Sequence, residues 1–189
     1  MNFSQPIERE LLHSRRIHCD GYLRSDGLWD LDAHVLDTRS FESQSFRGPN
    51  LPAHEALHRM GMRVTIGNDM VIRAVEALTE RGPYPDCLTI AVVYKDLVGM
   101  KIGPGFLLAV KQRFRGRQGC THLSELLGPL ATTAMQTLRG HASRNKAVSN
   151  PVPVHDDKPH PIVNSCHAFR SDGEVVLMRW PRFYTGPAR

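Results

Sequence analysis

Two stretches of the chain alternate between apolar and polar residues, and a period of two places successive side chains on opposite faces of a strand. Trp29, Leu31, Ala33 and Val35 alternate with Asp30, Asp32 and His34, which predicts a strand with one wet face. Ile17 to Arg24 reads as its partner, because Ser25-Asp26-Gly27 supplies the Asp-Gly pair that suits a tight hairpin. Further on, Met60, Met62, Val64 and Ile66 alternate with Gly61, Arg63 and Thr65, and Gly67-Asn68-Asp69 turns the chain into Val71 to Leu78. An antiparallel meander of about four strands is the simplest sheet these hairpins make.

Beyond Arg81-Gly82-Pro83-Tyr84-Pro85 the period changes. Pro85 and Asp86 open a helix at Cys87, with Leu88, Ala91, Val92 and Leu97 on one face, and Phe106 to Phe114 reads as a second short helix. Gly103-x-Gly105 between them lacks the third glycine of a phosphate-binding fingerprint and reads as a turn. In the stretch Gly119 to Gly140, Leu123, Leu126, Leu127, Leu130, Ala131, Ala134 and Leu138 recur at helical spacing, so a third helix buries one stripe. Gly128-Pro129 inside it is expected to kink or restart the helix. Residues 38–53 and the polar, proline-rich 141–161 read as surface loops, and Phe169 to Trp180 as a last hairpin across Ser171-Asp172-Gly173. The fold class expected is α+β: an antiparallel sheet of four to six strands with helices packed on one face. One domain over residues 1–189 is expected, its core at about 14–183.

Composition narrows the function. With 41% apolar and 23% charged residues the chain is ordinary globular protein. No apolar run suits a membrane span, and the first twenty residues carry Glu8 and Glu10 without an apolar signal core, so the reading is cytoplasmic with no membrane partner. The net charge of +5 is spread out. Its tight clusters, Arg15-Arg16 and Arg113, Arg115 and Arg117, lack interleaved aromatics, so a solvated surface or a local phosphate or carboxylate contact is expected rather than nucleic acid.

Four cysteines are too few and scattered for a disulfide framework. Metal binding, catalysis and burial remain open to them. Cys120 falls where the free N–H groups of the third helix begin, which favours thiolate. His122 follows at C-x-H spacing and Glu125 one turn later, placed to orient it. Cys87 opens the first predicted helix, and Cys166-His167 follows the long loop. The candidate metal set is therefore Cys87, Cys120 and Cys166, with His122 or His167 as fourth ligand to zinc or iron. The candidate catalytic set is Cys120 as nucleophile, His122 or His167 as base and Glu125 as orienting group. Cys19 reads as a strand residue. His58 shares a strand face with Met60, so it is either a core histidine or one that looks toward the site.

These residues carry a likeness. Arg15-Arg16, Tyr22 to Asp30, His58 to Met60, Pro83 to Cys87, Leu97 to Gly99, Gly119 to Leu127 and Ser165 to Ala168 resemble the motifs of a bacterial family catalogued as a domain of unknown function. The resemblance covers about residues 14 to 183, is most specific in its GCTHL segment, and implies a family unit with no established activity. Asp86-Cys87, Gly119-Cys120 and Cys166-His167 also resemble the three-cysteine ligand pattern of iron-sulfur assembly scaffolds, with the last pair reversed. The leading expectation is a metal-dependent enzyme acting on a small organic substrate, its metal a Lewis acid or an activator of water. The alternatives are a metal-free cysteine-dependent hydrolase of acyl thioesters and a non-enzymatic metal or iron-sulfur binding protein.

Overall fold

The alternating stretches become four strands in the computed structural model, which describes residues 3–46, 48–146 and 162–187. They are β1 (His13–Leu23), β2 (Trp29–Arg39), β3 (Ala56–Ile66) and β4 (Ile72–Arg81), joined in the order β1-β2-β3-β4 with every pair antiparallel. The first turn is closed by Gly27 at φ 83°, a conformation a side chain would strain, and the Arg24 backbone N–H donates to Leu28 O at 2.9 Å. Period-two alternation sets the faces. Trp29, Leu31, Ala33 and Val35 are buried opposite Ile66, Val64, Met62 and Met60, while Asp32 and Arg63 pair on the other face at 2.7 Å.

Helices cover the apolar face. α1 (Phe106–Arg113) and α2 (Thr121–Lys146) lie where the sequence predicts them. Leu123, Leu126, Leu127, Leu130 and Ala134 of α2 join the core with no exposure, each leucine contributing about 1.5–3 kcal/mol of apolar burial. The helix does not restart at Gly128-Pro129: α2 is one helix of 26 residues that runs through Pro129. Its burial on the sheet outweighs the single backbone donor that proline removes. α2 comes so close to β1 that a Cβ on Gly21 would meet Thr137 Oγ1 at 2.1 Å. Only glycine permits this approach.

Other expectations change. The helix expected from Cys87 is two 3-10 segments, Pro85–Leu88 and Ile90–Leu97, separated by Thr89 with its hydroxyl donating to Asp86 O at 3.1 Å. Proline and a short cap suit the tighter turn. The loop expected at 141–161 begins as the end of α2, and residues 147–161 lie outside the described residues.

The chain divides into two compact units, residues 1–145 and 146–189. In the second, the hairpin expected at Phe169 to Trp180 is instead a helix, α3 (Glu174–Arg179), between 3-10 turns at His167–Phe169 and Pro181–Phe183. Gly173 precedes the helix, Glu174 stands in its first turn and Arg179 in its last, the charge order a helix dipole favours. The Asn164 side-chain oxygen accepts from Ser171 N at 2.8 Å and the Asn164 backbone N–H donates to Phe169 O at 2.7 Å, closing the segment as a loop.

Candidate functional site

One row of the buried face is polar. Arg15, Asp37 and His58 stand opposite one another on β1, β2 and β3, continuing the phase that buries Val35 and Met60. The β2–β3 register shifts between Asp37 and Thr38, a bulge next to the row. Asp37 is fully buried. Its Oδ1 accepts from Arg15 Nε and its Oδ2 from Arg15 Nη2, both at 2.8 Å, and Oδ2 lies 3.0 Å from His58 Nδ1.

α2 closes the row from above. Its first turn brings the His122 ring onto His58, centroids 3.7 Å apart and planes 28° apart, with Nε2 3.8 Å from Asp37 Oδ2. Arg15 Nη1 donates to Glu125, so one guanidinium bridges a carboxylate of the sheet and one of the helix. The start of α2 is anchored by Tyr94, whose hydroxyl donates to Cys120 O at 2.7 Å and accepts from Cys120 N at 3.0 Å. His13 adds a third imidazole at the rim, its Nε2 3.6 Å from Asp37 Oδ1.

The electrostatics follow from this packing. Burial alone would raise the Asp37 carboxyl, but the hydrogen bonds and charge of Arg15, with His58 beside them, hold it below the usual aspartate range. Burial lowers His58 below the ordinary histidine value, helped by its neighbour His122. It lowers His122 as well, helped by Arg15. Two neutral imidazoles therefore face an ionised carboxylate.

Among the described residues one group of three ligand-bearing side chains comes together: Asp37, His58 and His122, with one ligand atom from each lying within 4.8 Å of the others. It holds His122 alone of the five expected ligands. Cys120 is half-buried just before α2, its Sγ 3.9 Å from His122 Nδ1 and 3.9 Å from Met60 Sδ, on the opposite ring nitrogen from Asp37. Cys87 is half-buried in the Pro85–Leu88 turn and packs on the core, where a Cβ on Gly82 would meet its Cβ at 2.4 Å. Cys166 and His167 belong to the second unit, both exposed, with His167 Nε2 3.4 Å from Arg170 Nη1. Glu125, expected to orient His122, has Arg15 as its ion-pair partner.

Sequence reasoning missed Asp37 and left His58 between two roles. The signal was present, because Asp37 continues the 29-31-33-35 alternation and so is a carboxylate in core phase. Arg15, for which a solvated surface or a local phosphate or carboxylate contact was expected, makes two carboxylate contacts. His13 carried no spacing signal.

Fold and site together define an α+β protein with an Arg-Asp-His row, its Asp37 and His58 buried and its Arg15 partly exposed, capped by a helix-borne histidine. The chain belongs to the family described as Protein of unknown function (DUF2889), whose model matches residues 13–136. Arg15, Asp37, His58, Cys120, His122 and Glu125 all fall within that span, and Cys166 and His167 fall beyond it. No curated protein and no solved structure matches the chain. No helix among the described residues is long and apolar enough to cross a membrane.

Proposed function

We propose that Asp37, His58 and His122 hold one divalent transition-metal ion, zinc or ferrous iron, and that this cytoplasmic protein uses it as an enzyme on a small organic substrate. The observation that carries the reading is the convergence of two imidazoles and one carboxylate at the buried end of the sheet. The donor set fits. Two histidines and one carboxylate with further positions open is the ligand choice of catalytic zinc and of non-haem iron sites. Metal-bound nitrogen and oxygen atoms sit about 3 Å apart, which the His58 Nδ1–Asp37 Oδ2 separation of 3.0 Å already meets. His122 needs only a small approach.

The surrounding charges suit a cation. Arg15 uses one acceptor site on each Asp37 oxygen and leaves the other free, and Glu125 balances the guanidinium, so the Arg15, Asp37 and Glu125 trio carries one net negative charge. The imidazoles are already unprotonated near neutrality, as ligands must be. A bound ion would act there as a Lewis acid or lower the pKa of a water. With His122 Nε2 turned to the ion, its Nδ1–H points at Cys120 Sγ, which fixes the tautomer. Cysteine then serves the centre through the histidine rather than as a ligand.

The same geometry favours one second reading. Cys120 Sγ, His122 and Asp37 are in series, at 3.9 Å and 3.8 Å, the order of a thiol nucleophile, its base and the base's carboxylate. In that chemistry, such as acyl-thioester hydrolysis, His122 takes the thiol proton and His58 has no role. Zinc and ferrous-iron titration of the wild type, His58→Ala and Cys120→Ala separates the two. The metal reading expects one ion per chain, lost in His58→Ala and retained in Cys120→Ala. A folded wild type that binds neither ion removes it, and stoichiometric alkylation of Cys120 with loss of thioesterase activity would install the second.

A further inference from the structure

The cavity beside the centre points to a substrate class. It has a volume of about 520 Å³ and lies between α1 and the first turns of α2. Buried Val110 and Phe114 form its apolar floor with Leu107 at the side, and Lys111 and Arg115 stand on its rim. Thr121, Ser124 and Glu125 complete the wall on α2. The size suits a small organic molecule, since ligand pockets run from roughly 300 to 1,000 Å³.

Its charge is uncompensated. Among the described residues neither Lys111 nor Arg115 is in an ion pair, whereas Arg113, which lines two neighbouring cavities, is held by Asp96 at 2.9 Å. The one carboxylate in the wall, Glu125, is taken by Arg15. An apolar floor under two free cations calls for a ligand with a hydrocarbon body and an anionic head.

Helix geometry connects this cavity to the centre. Residues of an α-helix step round by roughly 100° each, so the side chains of Ser124, Thr121, Glu125 and His122 follow one another around the face of α2 in that order. The first three line the cavity and the last belongs to the proposed metal set. Glu125, clamped by Arg15, is the partition between them.

We propose that this cavity binds a small carboxylic acid with an apolar body, its carboxylate on Lys111 and Arg115 and its far end directed past Glu125 toward His122. As a substrate site it rests on the proposed metal centre, but as a binding site it stands apart and is tested without metal. Octanoate is titrated into the chelator-treated protein by calorimetry, with octylamine as the cationic counterpart. Saturable octanoate binding is expected, with at least tenfold weaker binding of octylamine. Lys111→Glu combined with Arg115→Glu is expected to weaken octanoate at least tenfold, and Leu107→Asp severalfold through the apolar wall. Arg113→Glu, outside the cavity, should stay within twofold of wild type. Equal binding of octylamine, or an octanoate affinity indifferent to the double substitution, overturns the proposal. Zinc titration of the same variants reports on the centre separately: a wild type that binds octanoate but no zinc keeps the cavity and removes the metal.

Discussion

The buried face of the sheet has two ends that obey one pattern and contain opposite chemistry. Toward the β1–β2 turn the cross-strand rows are Leu31–Val64–Val75 and Ala33–Met62–Ala77, covered by the leucines of α2. At the other end the same alternation sets Arg15, Asp37 and His58 under His122. Every strand residue in both places is in core phase, and the same helix covers both. Folding explains the first end fully. It gives no reason for the second, since a buried ion pair is commonly matched or exceeded in stability by packed hydrophobic residues. The polar row is therefore the part of this face that apolar packing does not account for, which makes it the candidate site.

The largest effect expected separates the two ends by stability. Leu31→Ala should cost about 2–5 kcal/mol, the range for emptying a well-packed core position, and leave metal binding of the folded fraction unchanged. Replacing the polar row together, Arg15→Met, Asp37→Leu and His58→Met, should leave stability within about 2 kcal/mol of wild type and abolish metal binding. Urea unfolding and zinc titration of the two proteins measure both quantities. A triple variant that unfolds would make the row structural and reverse the comparison.

How far the two ends were legible in the sequence follows the same division. The apolar end was written in the alternation of Trp29 to Val35 and Met60 to Ile66 and in the helical stripe of α2, because burial of repeated apolar residues is what sets period and face. The polar end carries the same alternation on charged residues, so Asp37, just before the 38–53 stretch read as a loop, received no reading and His58 stayed between two roles. The cysteines drew attention because they sit at element edges, but element edges do not converge in space by themselves. Cys120 reached the neighbourhood only because the α2 start lies above Met60. Short segments fared worst. Ser171-Asp172-Gly173 is a good hairpin turn and an equally good approach to a helix, and nothing local decides between them.

A smaller effect is expected from the bridge that ties the helix to the polar end. Arg15 places Nε and Nη2 on Asp37 and Nη1 on Glu125, a planar fork that lysine lacks. Arg15→Lys keeps the charge and loses this geometry, so zinc affinity should fall by about 10–100-fold, as for other groups that orient ligands. The fold should persist. A Lys variant with wild-type affinity would mean that Asp37 is held by packing alone, and the bridge would lose its part in the contrast.

The smallest effect is a pH dependence confined to the polar end. Burial depresses His58 and His122 below the ordinary value of 6.5, so in the metal-free protein both are neutral in the folded chain where the unfolded chain begins to bind protons. Stability must then be level above about pH 6.5 and fall as pH decreases below it, until the folded histidines protonate in turn, with a slope of at most about 1.4 kcal/mol per pH unit for each proton. The depressed Asp37 acts in a lower window, contributing stability above its unfolded value of 3.8 that is lost in more acid solution. Urea unfolding with chelator at pH 7.5, 6.5 and 5.5 should show the decline in wild type and a shallower one in His58→Gln, while Leu31→Ala shifts the whole curve down without changing its shape. Superimposable slopes for wild type and His58→Gln would mean that His58 binds its proton as readily folded as unfolded, and the neutral imidazole pair would lose its basis.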